Sequence, residues 1–166
     1  MNFDLSEDQR LMRESFARFL DQHSSPERVR AAAAEGGFDP ELWRGLAELG
    51  AFSLRIPEDQ GGLGLGTMDA AVLVEEAGRT LASGPLVESL VALRALALLA
   101  ADTQAEILEQ AVAGEAVISL AMHDVATQPV QWVAGGAVAS AVLARDGEQV
   151  VLVQCDGERG EPNLAS

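Results

Sequence analysis

The residues able to do chemistry in this sequence are few and thinly spread. His123 and Asp124 stand side by side, where an apolar run leaves a helical region. A histidine beside a carboxylate can serve as a general base, although sequence neighbours rarely hydrogen-bond productively through their side chains. Glu75 and Glu76 are also adjacent. Adjacent side chains on a helix point about 100° apart, so these two cannot share a proton as a dyad. A solvated face with an ion pair to Arg79 is the simpler reading. His23 falls at a helix end, where an imidazolium complements the dipole. Cys155 has no histidine or asparagine close by and reads as a half-buried strand cysteine.

Gly61, Gly62, Gly64 and Gly66 crowd into six residues. A dinucleotide-binding turn needs glycines at i, i+2 and i+5. Here Thr67 or Asp69 stands where the third would be. The run therefore reads as a packed loop between helices, with glycines that need positive φ.

The absent residue types exclude more. All eleven basic residues are Arg; there is no Lys and no Tyr. Without Lys there is no Walker A phosphate loop and no Schiff-base chemistry. One cysteine excludes an internal disulfide and a cysteine-based zinc site. His23 and His123, a hundred residues apart, make a poor metal pair, so no metal site is expected. Twenty-six acidic residues leave a net charge of −15, which repels nucleic acid and anionic lipid. The start has no signal-peptide pattern. The longest apolar stretch, Leu86 to Ala101, contains Glu88 and Arg94 and is too short to span a bilayer. A cytoplasmic protein without nucleic-acid or membrane partners is expected.

The elements that must position these residues fall into two textures. Residues 1–114 predict five or six helices. Ser6 and Gln9 form a capping box before the apolar positions Met12, Phe16, Phe19 and Leu20. Ser24-Ser25-Pro26 breaks that helix, and a short one follows over Glu27–Ala34. Asp39 caps the next with Pro40 in its first turn, and Gly50 stops it. Helices follow from Thr67 to about Leu81 and over Leu86–Ala101. Thr103 and Glu106 suggest a second capping box, for a helix ending at Gly114. Beyond that, Val117–Met122, Ala137–Ala144 and Val150–Val153 read as strands, the last two joined around Asp146-Gly147. So small a sheet cannot bury both faces. The expected fold is α+β: an all-α domain over 1–114, then the start of a truncated, partial antiparallel β-domain over 115–166.

Several of these segments resemble a known family. Phe3-Asp4-Leu5-Ser6-Glu7-Asp8-Gln9 resembles the opening of the acyl-CoA dehydrogenases. Asp39-Pro40-Glu41-Leu42-Trp43 and Leu46-Ala47-Glu48-Leu49-Gly50 are similar to a second signature. Ile56-Pro57-Glu58-Asp59-Gln60-Gly61-Gly62-Leu63-Gly64 resembles its most specific one. Val74-Glu75-Glu76-Ala77-Gly78-Arg79 and Ala113-Gly114-Glu115 complete the order. The resemblance implies a helical N-terminal domain, a middle β-domain and a C-terminal four-helix domain. It also implies FAD, an acyl-CoA thioester substrate, and removal of two hydrogens across Cα–Cβ. A Glu base takes the α-proton and the flavin N5 accepts the β-hydride.

The departures are equally specific. The family's first middle-domain strand ends Thr-Glu-Pro and is soon followed by Gly-Ser-Asp. Here His123, Asp124 and Val125 stand at that strand end, and no Gly-Ser-Asp follows. Trp132 lies in the shortened stretch beyond, without secure alignment to the family's flavin-stacking Trp. The four-helix domain, with its catalytic Glu, is missing. The resemblance therefore places Met122 and His123 nearest any flavin and assigns no catalytic residue. It leaves three readings: the front of an acyl-CoA dehydrogenase, inactive alone; a non-catalytic partner in a homo- or hetero-oligomer with an acyl-CoA dehydrogenase-like subunit; or an acidic helical interaction module.

Overall fold

The computed structural model describes residues 4–100 and 104–155. Six helices come first: α1 (Glu7–His23), α2 (Pro26–Ala34), α3 (Pro40–Glu48), α4 (Thr67–Arg79), α5 (Leu86–Ala100) and α6 (Ala105–Val112). Three strands follow: β1 (Ile118–Leu120), β2 (Ala141–Asp146) and β3 (Gln149–Gln154). The α+β expectation holds.

Local chemistry sets the helix starts. The Ser6–Gln9 capping box forms in both directions, at 3.0 and 3.1 Å. Ser25 caps α2 and Asp39 caps α3, each followed by Pro in the first turn. Asp39 also receives a forked pair from Arg28, with its shortest contact 2.7 Å, which ties α2 to α3. The cap expected at Thr103 lies outside the described residues.

α5 sits at the centre. It is apolar almost all round, as an interior helix must be. Ala92, Leu93, Leu96 and Ala97 are buried in one core with Trp43, Phe52 and Leu73. Trp43 and Phe52 stack with ring centroids 4.4 Å apart. Against the sheet, the Ser89 hydroxyl donates to the Ile118 carbonyl at 2.8 Å, with Ser89 fully buried.

The glycine run packs as expected. Gly61 and Gly64 have φ of +79° and +61°. The Leu63, Gly64 and Leu65 N–H groups donate to the carbonyls of Ser53, Ile56 and Leu54. A Cβ at Gly62 would collide with the Ile56 carbonyl, so the loop lies flat against 53–56.

Glu75 and Glu76 separate. Glu75 is exposed, whereas Glu76 is buried. Glu76 holds Arg79 at 2.7 Å, and Arg79 reaches Asp21 on α1 at 2.8 Å. The solvated-face reading therefore fails for Glu76: the i+3 pair exists, but as part of a clamp between α1 and α4.

The sheet order is β1-β2-β3. β2 and β3 form the expected antiparallel hairpin, with Leu143 opposite Leu152. Asp146 is the last paired residue, opposite Gln149, so the turn is Gly147-Glu148 with Gly147 at φ +61°. β1 joins β2 in parallel, Ile118 opposite Ala141, which makes the sheet mixed. A parallel neighbour requires a crossover, here residues 121–140. That crossover consumes the first half of the strand expected over Ala137–Ala144. Val138 and Ala139 donate back to the Gly135 carbonyl in a turn, and β2 starts only at Ala141.

Candidate functional site

The crossover joins two features. One is the end of β1; the other is an apolar cleft between the helices and residues 134–138.

At the strand end, Ala121 still donates to the Leu143 carbonyl at 2.9 Å. Met122 then turns outward and is 72% exposed. His123 is exposed as well. Its backbone is closed by one side chain: the His123 N–H donates to Gln131 Oε1 at 2.9 Å, and Gln131 Nε2 donates to the His123 carbonyl at 2.9 Å. Gln131 Nε2 also reaches the Gln128 carbonyl at 3.1 Å.

Asp124 faces the hairpin. Its Oδ1 accepts from the Gly147 N–H at 3.0 Å and the Ala126 N–H at 2.9 Å. Its Oδ2 lies 3.5 Å from Arg145 Nε. The Gly147 and then the Ala126 N–H, with Arg145 adding to them, hold the Asp124 carboxyl below the usual carboxylate range. Asp124 is thus a turn anchor, and its polar partners all lie on the hairpin and its own turn. The pairing with His123 that sequence adjacency invited is absent from the hydrogen bonds of the described residues.

The cleft has a volume of about 570 Å³. Val29, Phe38, Leu81, Leu86, Glu88 and Val138 are among its walls. Two close approaches shape it: Gly84, at φ +126°, sits against the Trp43 ring, and Gly135 packs on Pro85. The Ser119 hydroxyl donates to the Ala134 carbonyl at 2.6 Å and fixes the crossover wall. At the rim, Leu81 has φ 54°, the one non-glycine among the described residues with positive φ. It terminates α4 where glycine is usual, with Ala82 N–H reaching back to the Ala77 carbonyl. Such a lining takes an apolar ligand. Glu88 is the single carboxylate among the lining residues. Sequence reading passed over Glu88 and Gln131; the only available signals were a charge inside an apolar helix and an amide eight residues from His123.

The other sequence candidates stand apart from both features. His23 stacks on Phe19 at 4.5 Å in the last turn of α1. Cys155 is half-buried at the end of β3, where its N–H donates to the Ser140 carbonyl. Trp132, next to Gln131, is 72% exposed. Among the described residues no group of His, Cys, Asp or Glu is arranged to hold a metal, and no helix is long and apolar enough to cross a membrane.

The polar edge of a flavin ring asks for several donors and acceptors at once. At the strand end, Gln131 occupies both backbone groups of His123, and the hairpin occupies Asp124. Met122 alone keeps its backbone pair without a partner among the described residues. In this arrangement the residues present do not fit a flavin.

Comparison with known proteins agrees with the order of the sequence signatures. Residues 6–115 match the family model for the acyl-CoA dehydrogenase N-terminal domain. Acyl-CoA dehydrogenase IpdE2 of Mycolicibacterium smegmatis is 38% identical over 160 residues, which are 95% of this chain and 48% of that protein. Benzylmalonyl-CoA dehydrogenase of Aromatoleum aromaticum is 34% identical over 128 residues, 75% of this chain and 34% of that protein. The ChsE4-ChsE5 complex from Mycobacterium tuberculosis contains a chain of similar structure, with a TM-score of 0.76 and 25% identity over 94% of this chain and 49% of that one. The chain spans about half the length, or less, of the curated relatives it matches. Because the family model covers more than half of its residues, and the helices carry the signatures in order, the chain belongs to the acyl-CoA dehydrogenase family.

Proposed function

We propose that this chain supplies the helical wall of an acyl-CoA dehydrogenase and is inactive by itself. The whole assembly would carry out FAD-dependent α,β-dehydrogenation of an acyl-CoA thioester. The helical unit is 1–114, and 115–166 is the start of a truncated middle β-domain. The observation that carries the reading is the apolar cleft, built jointly by the helices and the crossover of a family member. Its lining suits the acyl part of a thioester. Removing an α-proton also needs a carboxylate poised over the reacting carbon. Asp124 cannot serve, because it is tied to Gly147, Ala126 and Arg145.

The base and the flavin cradle therefore come from a complementing acyl-CoA dehydrogenase-like subunit. The ChsE4-ChsE5 similarity supports this, since that structure is itself a complex of two chains. Met122 and His123 are the positions we assign nearest the flavin in the assembled protein, with Gln131 withdrawn from His123. We place the protein in the cytoplasm, with no nucleic-acid or membrane partner. The test is co-purification. A tagged chain expressed with a complete family member should emerge with flavin absorbance and acyl-CoA-dependent dye reduction; the chain alone should show neither. Flavin and turnover retained by the chain alone would overturn the proposal.

A further inference from the structure

β3 is the outer strand of the sheet, with no neighbour on its far side among the described residues. The ladder fixes which of its backbone groups are free. Cys155 donates to Ser140 across the same register that sets Val142 opposite Val153. Odd-numbered residues of β3 therefore turn their N–H and C=O towards β2. Val150, Leu152 and Gln154 turn theirs outward.

This edge lacks the devices that normally protect one. Gln-Val-Val-Leu-Val-Gln contains no charge, no Pro and no Gly, in a chain of net charge −15. Val150 and Val153 are 53% and 48% exposed, on opposite faces of the strand. Residues 156–166 are poor material for covering it, since they contain Gly157, Gly160 and Pro162 and several charges.

The edge is self-complementary. Antiparallel pairing must set outward residues against outward residues, which allows a two-fold axis at Leu152. Leu152 then faces Leu152 of a second copy, and Val151 faces Val153 of that copy on the other side of the sheet. Val150 faces Gln154. Each outward N–H meets an outward carbonyl, and no charge is buried. We infer that β3 is a self-association edge, joining two copies of this chain into one continuous sheet about Leu152. The inference stands apart from the proposed catalytic role. A strand from a different protein at this edge is an outcome that contradicts it.

The register gives a direct test. Position 149 lies opposite Cys155 of the second copy, as a non-hydrogen-bonded pair close enough for a disulfide. Along one strand the two are too far apart to bond. In the full-length chain, Gln149→Cys should form a covalent dimer on mild oxidation, reversed by dithiothreitol, whereas Glu148→Cys should not. By sedimentation equilibrium the wild type should weigh twice the monomer mass, and the dimer should tighten from about 0.05 to about 0.5 M salt as charge repulsion is screened. Val150→Pro removes only an outward N–H and should give monomers with unchanged circular dichroism. Val153→Lys should do the same and serves if the proline variant fails to fold. A wild-type monomer, a dimer indifferent to both edge variants, or equal cross-linking from positions 148 and 149 would overturn the inference.

Discussion

The helical and sheet portions obey different rules. In the helices, α1 is clamped to α4 through Asp21, Arg79 and Glu76, and α5 is enclosed by Trp43, Phe52 and Leu73. In the sheet, the core-facing side of β2 is buried, but no residue of β3 is. What holds the outer sheet and crossover is largely polar: Gln131 on His123, and Asp124 on Gly147 and Arg145. One portion is stabilised by apolar burial. The other is satisfied in its hydrogen bonds yet leaves Met122, Val130 and Trp132 outside. A region built that way is half of a site, with its remaining surface meant for another element.

The contrast predicts a graded mutational response. Trp43→Ala empties the helical core and should cost about 3–5 kcal/mol by chemical denaturation, whereas Val153→Ala on the outer strand should cost well under 1 kcal/mol. Equal losses would break the distinction. Gly62→Ala forces a methyl group into the Ile56 carbonyl and should cost about 1–3 kcal/mol. Gly61→Ala meets open space and carries only the positive-φ penalty of about 1 kcal/mol.

The polar ties of the sheet respond to smaller perturbations. Gln131→Ala should leave the melting temperature nearly unchanged and speed hydrogen exchange at the His123 amide, because that N–H loses its acceptor. Asp124 gives the pH dependence. Its folded pKa is depressed, so its stabilising effect is fully present above the unfolded value of about 3.9 and is lost as pH falls through the lower folded value. The Gly147 amide resonance should shift over that acid range, and Asp124→Asn should abolish the shift. Smallest of all, Leu81→Gly should stabilise the chain by up to about 1 kcal/mol by relieving the left-handed strain. A loss of stability there would show that the exposed leucine packs in the cleft more than it strains.

Sequence reading reached far into the helical portion because its signals are local. The Ser6–Gln9 box, the Asp39-Pro40 start and the glycine loop each act within a few residues. The hairpin was legible for the same reason, although its turn centre falls one residue later than Asp146-Gly147 suggests. What was hidden depends on distant partners. Glu76 looks like a surface carboxylate until α1 brings Asp21 and Arg13 alongside α4. The late start of β2 follows from a turn closed on the Gly135 carbonyl. The cleft draws walls from α2, α4, α5 and the crossover, so no single segment carries its signal.

The most direct test of the central proposal is dye reduction by the purified 166-residue chain, with FAD and an acyl-CoA, before and after dialysis. A helical wall with a closed strand end and no poised base predicts no turnover and no retained flavin absorbance, with both appearing when a complete family member is co-expressed. Turnover by the chain alone that survives dialysis, and exceeds that of an Asp124→Ala, Glu75→Ala, Glu76→Ala variant, would contradict it.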